Sequence, residues 1–234
     1  MDQIPPTPLS AVRRDFERVS PAIVQQASAF AASILADVAG RRGTLAGRIV
    51  PLTPATRVAG PAFTIEVRPG DNLMIHAAMA MAKPGDILVI DGKADTGCAL
   101  MGAIMITACK VLGLGGVVID GAHRDTEELL KLGFPMYSVG TNPNGPTKNL
   151  PGRINWPVSC GGVAINPGDL IVGDADGVVV VEREKAGSIL ALAAQKIEDE
   201  RTRIAEIVSG AAVRPKWLDG ALRAVGVLRD GETL

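Results

Sequence analysis

Residues 84–120 read "PGDILVIDGKADTGCALMGAIMITACKVLGLGGVVID", and they decide the fold. The run "ILVID" at 87–91, opened by a Pro-Gly-Asp corner, predicts a short buried strand. The following "TGCALMGAIMITACKVLG", 96–113, is apolar almost all round and predicts a buried helix. "GGVVID" at 115–120 predicts a second buried strand. Strand, helix and strand in succession, all apolar, are the pattern of a parallel βαβ unit, so the fold class is α/β. Ligands of such sheets bind at the carboxyl ends of the strands.

The neighbouring text extends this pattern in both directions. Pro-Gly-Asp recurs at 69–71 and 167–169, with Pro and Gly placed as a type II turn requires. Between the first two corners, "NLMIHAAMAMAK" predicts a helix. Upstream, "LAGRIVPLTPATRVAGPAFTIEV" (45–67) predicts two or three strands joined by turns. Ser20-Pro21 is an N-cap and first-turn pair, predicting one helix up to Gly40. Residues 1–19 read as a loosely attached arm with a short helix around "AVRRDFERV". Downstream come strands in "PMYSV", "GGVAI", "DLIVGD" and "GVVVV", and a Gly/Pro/Asn loop at 140–157 of the length that usually serves function or an interface. Residues 182–208 predict a long charged helix. The tail from Pro215 predicts a short helix and is a candidate clamp on a neighbouring subunit. The organisation expected is one domain: an arm (1–19), an α/β core (45–181) and C-terminal helices (182–234).

Composition narrows the function. The 234 residues are 47% hydrophobic, with 24 Lys and Arg against 25 Asp and Glu, so there is a sizeable core and no global field to draw nucleic acid or an anionic membrane. Aromatic residues are 3%, too few for base-stacking platforms. No apolar run has the length and continuity of a membrane span or a secretory signal. Three cysteines without a close pair match neither a disulfide framework nor a zinc knuckle, so a cytoplasmic protein with a small-molecule ligand is expected.

The chemistry concentrates at "DGAHRDTEELL", residues 120–130. Asp125 with Glu128 three residues on fits a capping box, and helix initiation alone accounts for both acids. It does not account for Arg124 at the end of a buried strand, nor for Gly102 opening a buried helix whose backbone N–H groups are free to meet an anion. The alternative is a carboxylate substrate held between that helix start and Arg124, with Asp125 binding a hard divalent cation. Mg²⁺ accepts one or two protein carboxylates and keeps several waters, which leaves Glu128 and Asp120 to grip those waters. His123 reads as a turn residue and His76 as a satisfied core residue. Lys148 reads as a loop lysine able to approach substrate or a subunit, and Asp174 and Asp176 as turn residues.

The set Gly102-Ala103-Ile104-Met105 followed by Arg124-Asp125-x-x-Glu128, with "PGDILVIDG", "LGFPMYSVG" and "PGDLIVGDADGVVVV", resembles the RraA-like family over most of 45–181. That family includes class II pyruvate aldolases acting on 4-hydroxy-4-methyl-2-oxoglutarate and 4-carboxy-4-hydroxy-2-oxoadipate, and the regulators of ribonuclease E. The resemblance implies a swivelling β/β/α sandwich, a central β core flanked by helices, assembled as trimers or hexamers with sites near subunit contacts. It implies Mg²⁺ (or Mn²⁺) on Asp125, a 2-oxo acid on Arg124, and the substrate carboxylate on the backbone of Gly102, Ala103, Ile104 and Met105. Catalysis then falls to Arg124, Glu128 and Asp120, as a lyase with oxaloacetate decarboxylase side activity. An acid at Glu128 favours the enzymes over the competing role, a ribonuclease-binding regulator.

Overall fold

The computed structural model describes residues 11–234, which divide into two compact units meeting at Ala193/Ala194. The helices and strands run α1 (Pro21–Ala27), α2 (Ala32–Val38), β1 (Val50–Pro51), β2 (Val58–Glu66), α3 (Leu73–Met79), β3 (Ile87–Met101), α4 (Ala103–Val111), β4 (Gly116–His123), α5 (Thr126–Leu132) and β5 (Met136–Thr141). Next come β6 (Arg153–Ile154), β7 (Val158–Cys160), β8 (Val163–Ile165), β9 (Leu170–Asp174), β10 (Gly177–Val181), α6 (Ala186–Val208) and α7 (Leu218–Ala224).

The main sheet has the order β1-β5-β4-β3-β2-β9-β10. β2 to β5 are mutually parallel, each joined to the next by one of α3, α4 and α5. β2 serves two neighbours: Val58–Pro61 pair antiparallel with β9, and Ala62–Glu66 pair parallel with β3. The change falls at Pro61, which has no N–H to give a ladder.

Layering comes from side-chain alternation. In β4, Val117 and Ile119 join Phe63, Leu88, Met105 and Leu129 in the core beneath the three helices. Val118 points the other way, into a core with Leu45, Ile49, Cys160 and Ile165, covered by the β7–β8 hairpin. All of β4 is buried, as for a parallel strand covered on both faces. A third core packs α1, α2 and the start of α6 on β9 and β10. The result is a mixed α/β sandwich of helices, central sheet and a second β layer.

The three Pro-Gly-Asp corners behave as predicted, with φ positive at Gly70, Gly85 and Gly168. Their aspartates are buried acceptors of backbone N–H groups, Asp86 from Lys83 and Asp169 from Asn166.

Three expectations are corrected. Residues 96–101 continue β3, and α4 begins only at Ala103. Positive φ at Lys93 and Ala94 shifts the register, after which Ala99 and Met101 pair with Ala122 and His123. Residues 98–101 are apolar because the strand there is buried on both faces. Residues 21–40 form two helices, since the N–H of Ala32 is capped by Asp174 from β9, at 2.9 Å. Residues 12–19 form no helix but a tied strap: Arg13 N–H donates to Ile154 O, Val19 N–H to Gly168 O, and Arg18 pairs with buried Asp86 at 2.7 Å. The rest of the expected arm, 1–10, lies outside the described residues. The second unit, Ala194–Leu234, holds the remainder of α6 and all of α7 and buries none of its residues. Among the described residues no helix is long and apolar enough to cross a membrane.

Candidate active site

β3 and β4 end side by side, and the residues just beyond them make the site. β3 gives way to Gly102 and α4; β4 gives way to Arg124, Asp125 and α5. The N–H of Arg124 donates to Met101 O at 3.0 Å, fastening the two ends together.

Asp125 does not make the capping box. It precedes α5 with φ 62° and ψ 38°, a left-handed conformation, and caps nothing in its own helix. Its Oδ2 instead accepts the N–H of Ala103 at 2.9 Å and so caps α4, twenty-two residues away in sequence. Arg124 Nε lies 3.8 Å from the same oxygen. A left-handed aspartate is strained by about 1–3 kcal/mol and persists where its surroundings over-determine it, as at functional sites.

Gly102 makes this contact possible. A Cβ there would stand 2.4 Å from Asp125 Oδ2 and 3.0 Å from Arg124 Cγ. Gly145, in the long loop, has the same part on the other side: its Cβ would meet Arg124 Nη1 at 2.9 Å. The guanidinium is thus seated between two glycines, the second missed by the sequence reading.

A cavity of about 180 Å³ opens here, lined by Gly102, Ile104, Met105, Arg124 and Asp125, and across from them by Asn72, His76 and Lys148. Because Ala103 N–H is occupied by Asp125, the first-turn N–H groups left to meet a ligand are those of Ile104 and Met105. Arg124 is half-exposed, and Asp125 is the only carboxylate among the lining residues.

His76 is exposed and lines the cavity, where the sequence placed it in the core. Partial desolvation at the cavity wall and the nearby Lys148 ammonium both hold its imidazole below the usual pKa. Asn72 is buried, its Nδ2 donating to Leu100 O at 2.9 Å while its Oδ1 has no partner.

Two predicted site residues stand apart. Asp120 is the residue after Ile119 and so points into the opposite layer. There its carboxylate takes both ends of Arg48, at 3.1 and 2.8 Å, and the N–H of Gly161 at 2.8 Å. Its place in the fold is that of a buried carboxylate paired with a partly exposed arginine, outside the cavity lining. The period-2 alternation of the strand carried the signal. Glu128 lies on the exposed first turn of α5, outside the cavity lining. His123 is buried, with Nδ1 on Ser138 Oγ at 2.8 Å and Nε2 on Thr126 Oγ1 at 3.2 Å. Burial holds its pKa down, and its role is structural.

The donor set constrains any metal. Among the described residues no three His, Cys, Asp or Glu side chains gather into a cage of the kind a structural zinc takes. One carboxylate, its Oδ1 not used by Ala103 or Arg124, fits a hydrated Mg²⁺ or Mn²⁺.

Residues 21–180 match the RraA-like family model, described as Aldolase/RraA. A protein of Halalkalibacterium halodurans named "Putative 4-hydroxy-4-methyl-2-oxoglutarate aldolase" is 45% identical over 159 residues, 68% of this chain and 76% of that one. A Burkholderia multivorans protein of the same name is 35% identical over 142 residues, 61% of this chain and 86% of that one. The crystal structure of Streptomyces coelicolor RraAS2, described as an unusual member of the RNase ES inhibitor RraA family, superposes with TM-score 0.75 at 28% identity, covering 81% of this chain and 98% of that one. With a matching model over most of its length and the same sandwich of layers, the chain belongs to the RraA-like family.

Proposed function

We propose that the protein is a divalent-metal-dependent lyase. It cleaves a 4-hydroxy-2-oxo acid of the 4-hydroxy-4-methyl-2-oxoglutarate or 4-carboxy-4-hydroxy-2-oxoadipate type to pyruvate and a second 2-oxo acid. The observation that carries this is Asp125: strained, turned away from its own helix, and set with Arg124 over the start of α4 in a cavity. A residue whose only task is to begin its own helix needs none of that.

The C1 carboxylate is held by the N–H groups of Ile104 and Met105 and by Arg124. Asp125 would hold Mg²⁺ or Mn²⁺, which when bound would supply Lewis acidity for the C2 carbonyl. In cleavage the C4 hydroxyl loses its proton, the C3–C4 electrons move to C2–C3, and negative charge develops on the C2 oxygen. Arg124 stabilises that charge, the kind of preorganised electrostatic effect that is often the largest in catalysis. Glu128 is proposed to orient the water that takes the hydroxyl proton. Protonation of C3 completes pyruvate. Loss of CO₂ from oxaloacetate reaches the same enolate, so decarboxylation is expected as a side activity. Lys148, across the cavity, suits a distal carboxylate of substrate.

Self-association belongs to the same reading. Ile104, on the cavity wall, is 85% exposed, and Trp217, Val208 and Val225 stand exposed in a unit that buries nothing. Apolar groups so placed favour self-association, which is proposed as the trimer or hexamer with sites near subunit contacts that the family resemblance implies.

The test is pyruvate release by the purified protein from oxaloacetate and from 4-hydroxy-4-methyl-2-oxoglutarate, with Mg²⁺ and with chelator. Turnover by wild type, abolished by chelator and by Asp125→Ala, supports the lyase. The likeness to RraAS2 favours a second reading, a regulator acting by surface contact; ribonuclease inhibition without turnover of any 2-oxo acid decides for it.

A further inference from the structure

Lys148 lies in a loop, 142–152, that contains no helix or strand beyond an isolated bridge, yet it lines the cavity. A buried carboxylate holds that loop in place. Asp71 is 1% exposed. Its Oδ2 accepts Thr147 Oγ1 at 2.7 Å, the N–H of Asn149 at 2.6 Å and the N–H of Leu150 at 3.1 Å. Its Oδ1 accepts the N–H of Leu73 at 2.9 Å at the start of α3. The turn that leads into α3 needs only that last bond. The other three donors come from residues on either side of Lys148.

The backbone reinforces the clamp, Thr147 N–H donating to Gly70 O and Asn72 N–H to Thr147 O. Burial alone raises the Asp71 pKa, but the bonds from Asn149, Thr147, Leu73 and Leu150 outweigh it and hold the group ionised, below its usual range. The next residue, Asn72, ties the opposite wall through Leu100 O and Met105 Sδ. Consecutive side chains at one helix start thus secure both sides of the cavity, and the ammonium of Lys148 itself makes no ion pair or hydrogen bond among the described residues.

We infer that Asp71 is a positioning residue: through Thr147, Asn149 and Leu150 it sets where the Lys148 ammonium stands, and so selects 2-oxo acids carrying a distal carboxylate at that distance. The inference rests on the lyase reading and adds to it the element that measures substrate length. Asp71→Asn keeps the shape and the bond to Leu73 but turns an amide donor toward three donors.

The experiment compares cleavage of 4-hydroxy-4-methyl-2-oxoglutarate with deuterium uptake into the methyl group of pyruvate, which has no distal carboxylate. Asp71→Asn is expected to raise KM for the diacid about tenfold with kcat within about threefold, while pyruvate exchange stays within about threefold of wild type. Thr147→Val, which removes one donor and leaves the buried charge in place, shifts KM the same way by about threefold. Hydrogen exchange on the 144–152 segment, read without substrate, shows the amides of Asn149 and Leu150 losing protection in Asp71→Asn. Lost protection with unchanged KM in both variants overturns the inference, as does a parallel fall in pyruvate exchange and diacid cleavage, the mark of a merely structural residue. A wild type that takes no deuterium into pyruvate overturns the lyase reading as well; one that does, with no KM effect in either variant, overturns this inference alone.

Discussion

Gly102→Ala is the smallest perturbation that reaches the proposed chemistry. At Gly102 φ is −148° and ψ −168°, extended backbone open to alanine, so the effect is steric alone. The new methyl would stand 2.4 Å from Asp125 Oδ2, 3.0 Å from Arg124 Cγ and 3.2 Å from Arg124 Nε. Carbon and oxygen need roughly 3.4 Å, so the carboxylate must retreat by about 1 Å and lose its 2.9 Å bond from Ala103.

That bond is solvent-exposed and worth about 1 kcal/mol, and alanine recovers about 0.4–1 kcal/mol by restricting the unfolded chain. Thermal stability should therefore change by no more than about 3 °C. Misplacing a catalytic constellation by 1 Å costs on the order of a hundredfold in rate, about 2.7 kcal/mol of transition-state stabilisation. Steady-state kinetics with oxaloacetate, Mn²⁺ affinity and a melting curve measure the three quantities together. A variant within threefold of wild type in kcat/KM and in metal affinity refutes the packing argument.

Asp125→Gly should abolish turnover while leaving the melting temperature equal or higher, because glycine relieves the left-handed strain; a clear loss of stability contradicts the assignment of that strain. Asp120→Asn should do the reverse, lowering stability by about 1–3 kcal/mol, the larger figure being discounted for the partly exposed Arg48, with kcat within twofold; a large fall in kcat restores Asp120 to the site. The buried thiols set an alkaline limit. Burial raises Cys109 to about 12 from an ordinary 9.0, and raises Cys160 and the Tyr137 phenol as well. Such groups stay protonated in the folded chain while the unfolded chain ionises. Stability is therefore complete below about pH 9 and then falls, by about 1.4 kcal/mol per pH unit for each group titrating only in the unfolded state. Denaturant unfolding between pH 8 and 11 reads this directly, and a flat profile contradicts it.

Much of this fold is legible in residues 84–120, because apolar strands and corners leave few alternatives. The glycines of the three Pro-Gly-Asp turns take the positive φ their turn type requires. The approach of Gly102 to Arg124 and Asp125 comes from the βαβ topology, which brings successive strand ends together. The features that escape are those decided by distant contacts. An apolar run such as 96–101 has no periodicity to separate strand from helix, and pairing with β4 settles it. The break between α1 and α2 depends on Asp174, far along the chain. His76, read as a core residue from its apolar neighbours, lies on the exposed side of α3. Lys148 gains its place from Asp71, an acid that in sequence is only the third residue of a turn. The place of Asp120 beside Arg48 is legible too, since alternation from Ile119 directs it to the other layer.

Metal binding by Asp125 is the central claim. Titrating the protein with Mn²⁺ and following the free ion by electron paramagnetic resonance counts bound cations without a substrate. One Mn²⁺ per chain, displaced by excess Mg²⁺ and absent from Asp125→Ala of unchanged fold, is the predicted result. Equal binding by wild type and variant, or none by either, contradicts it.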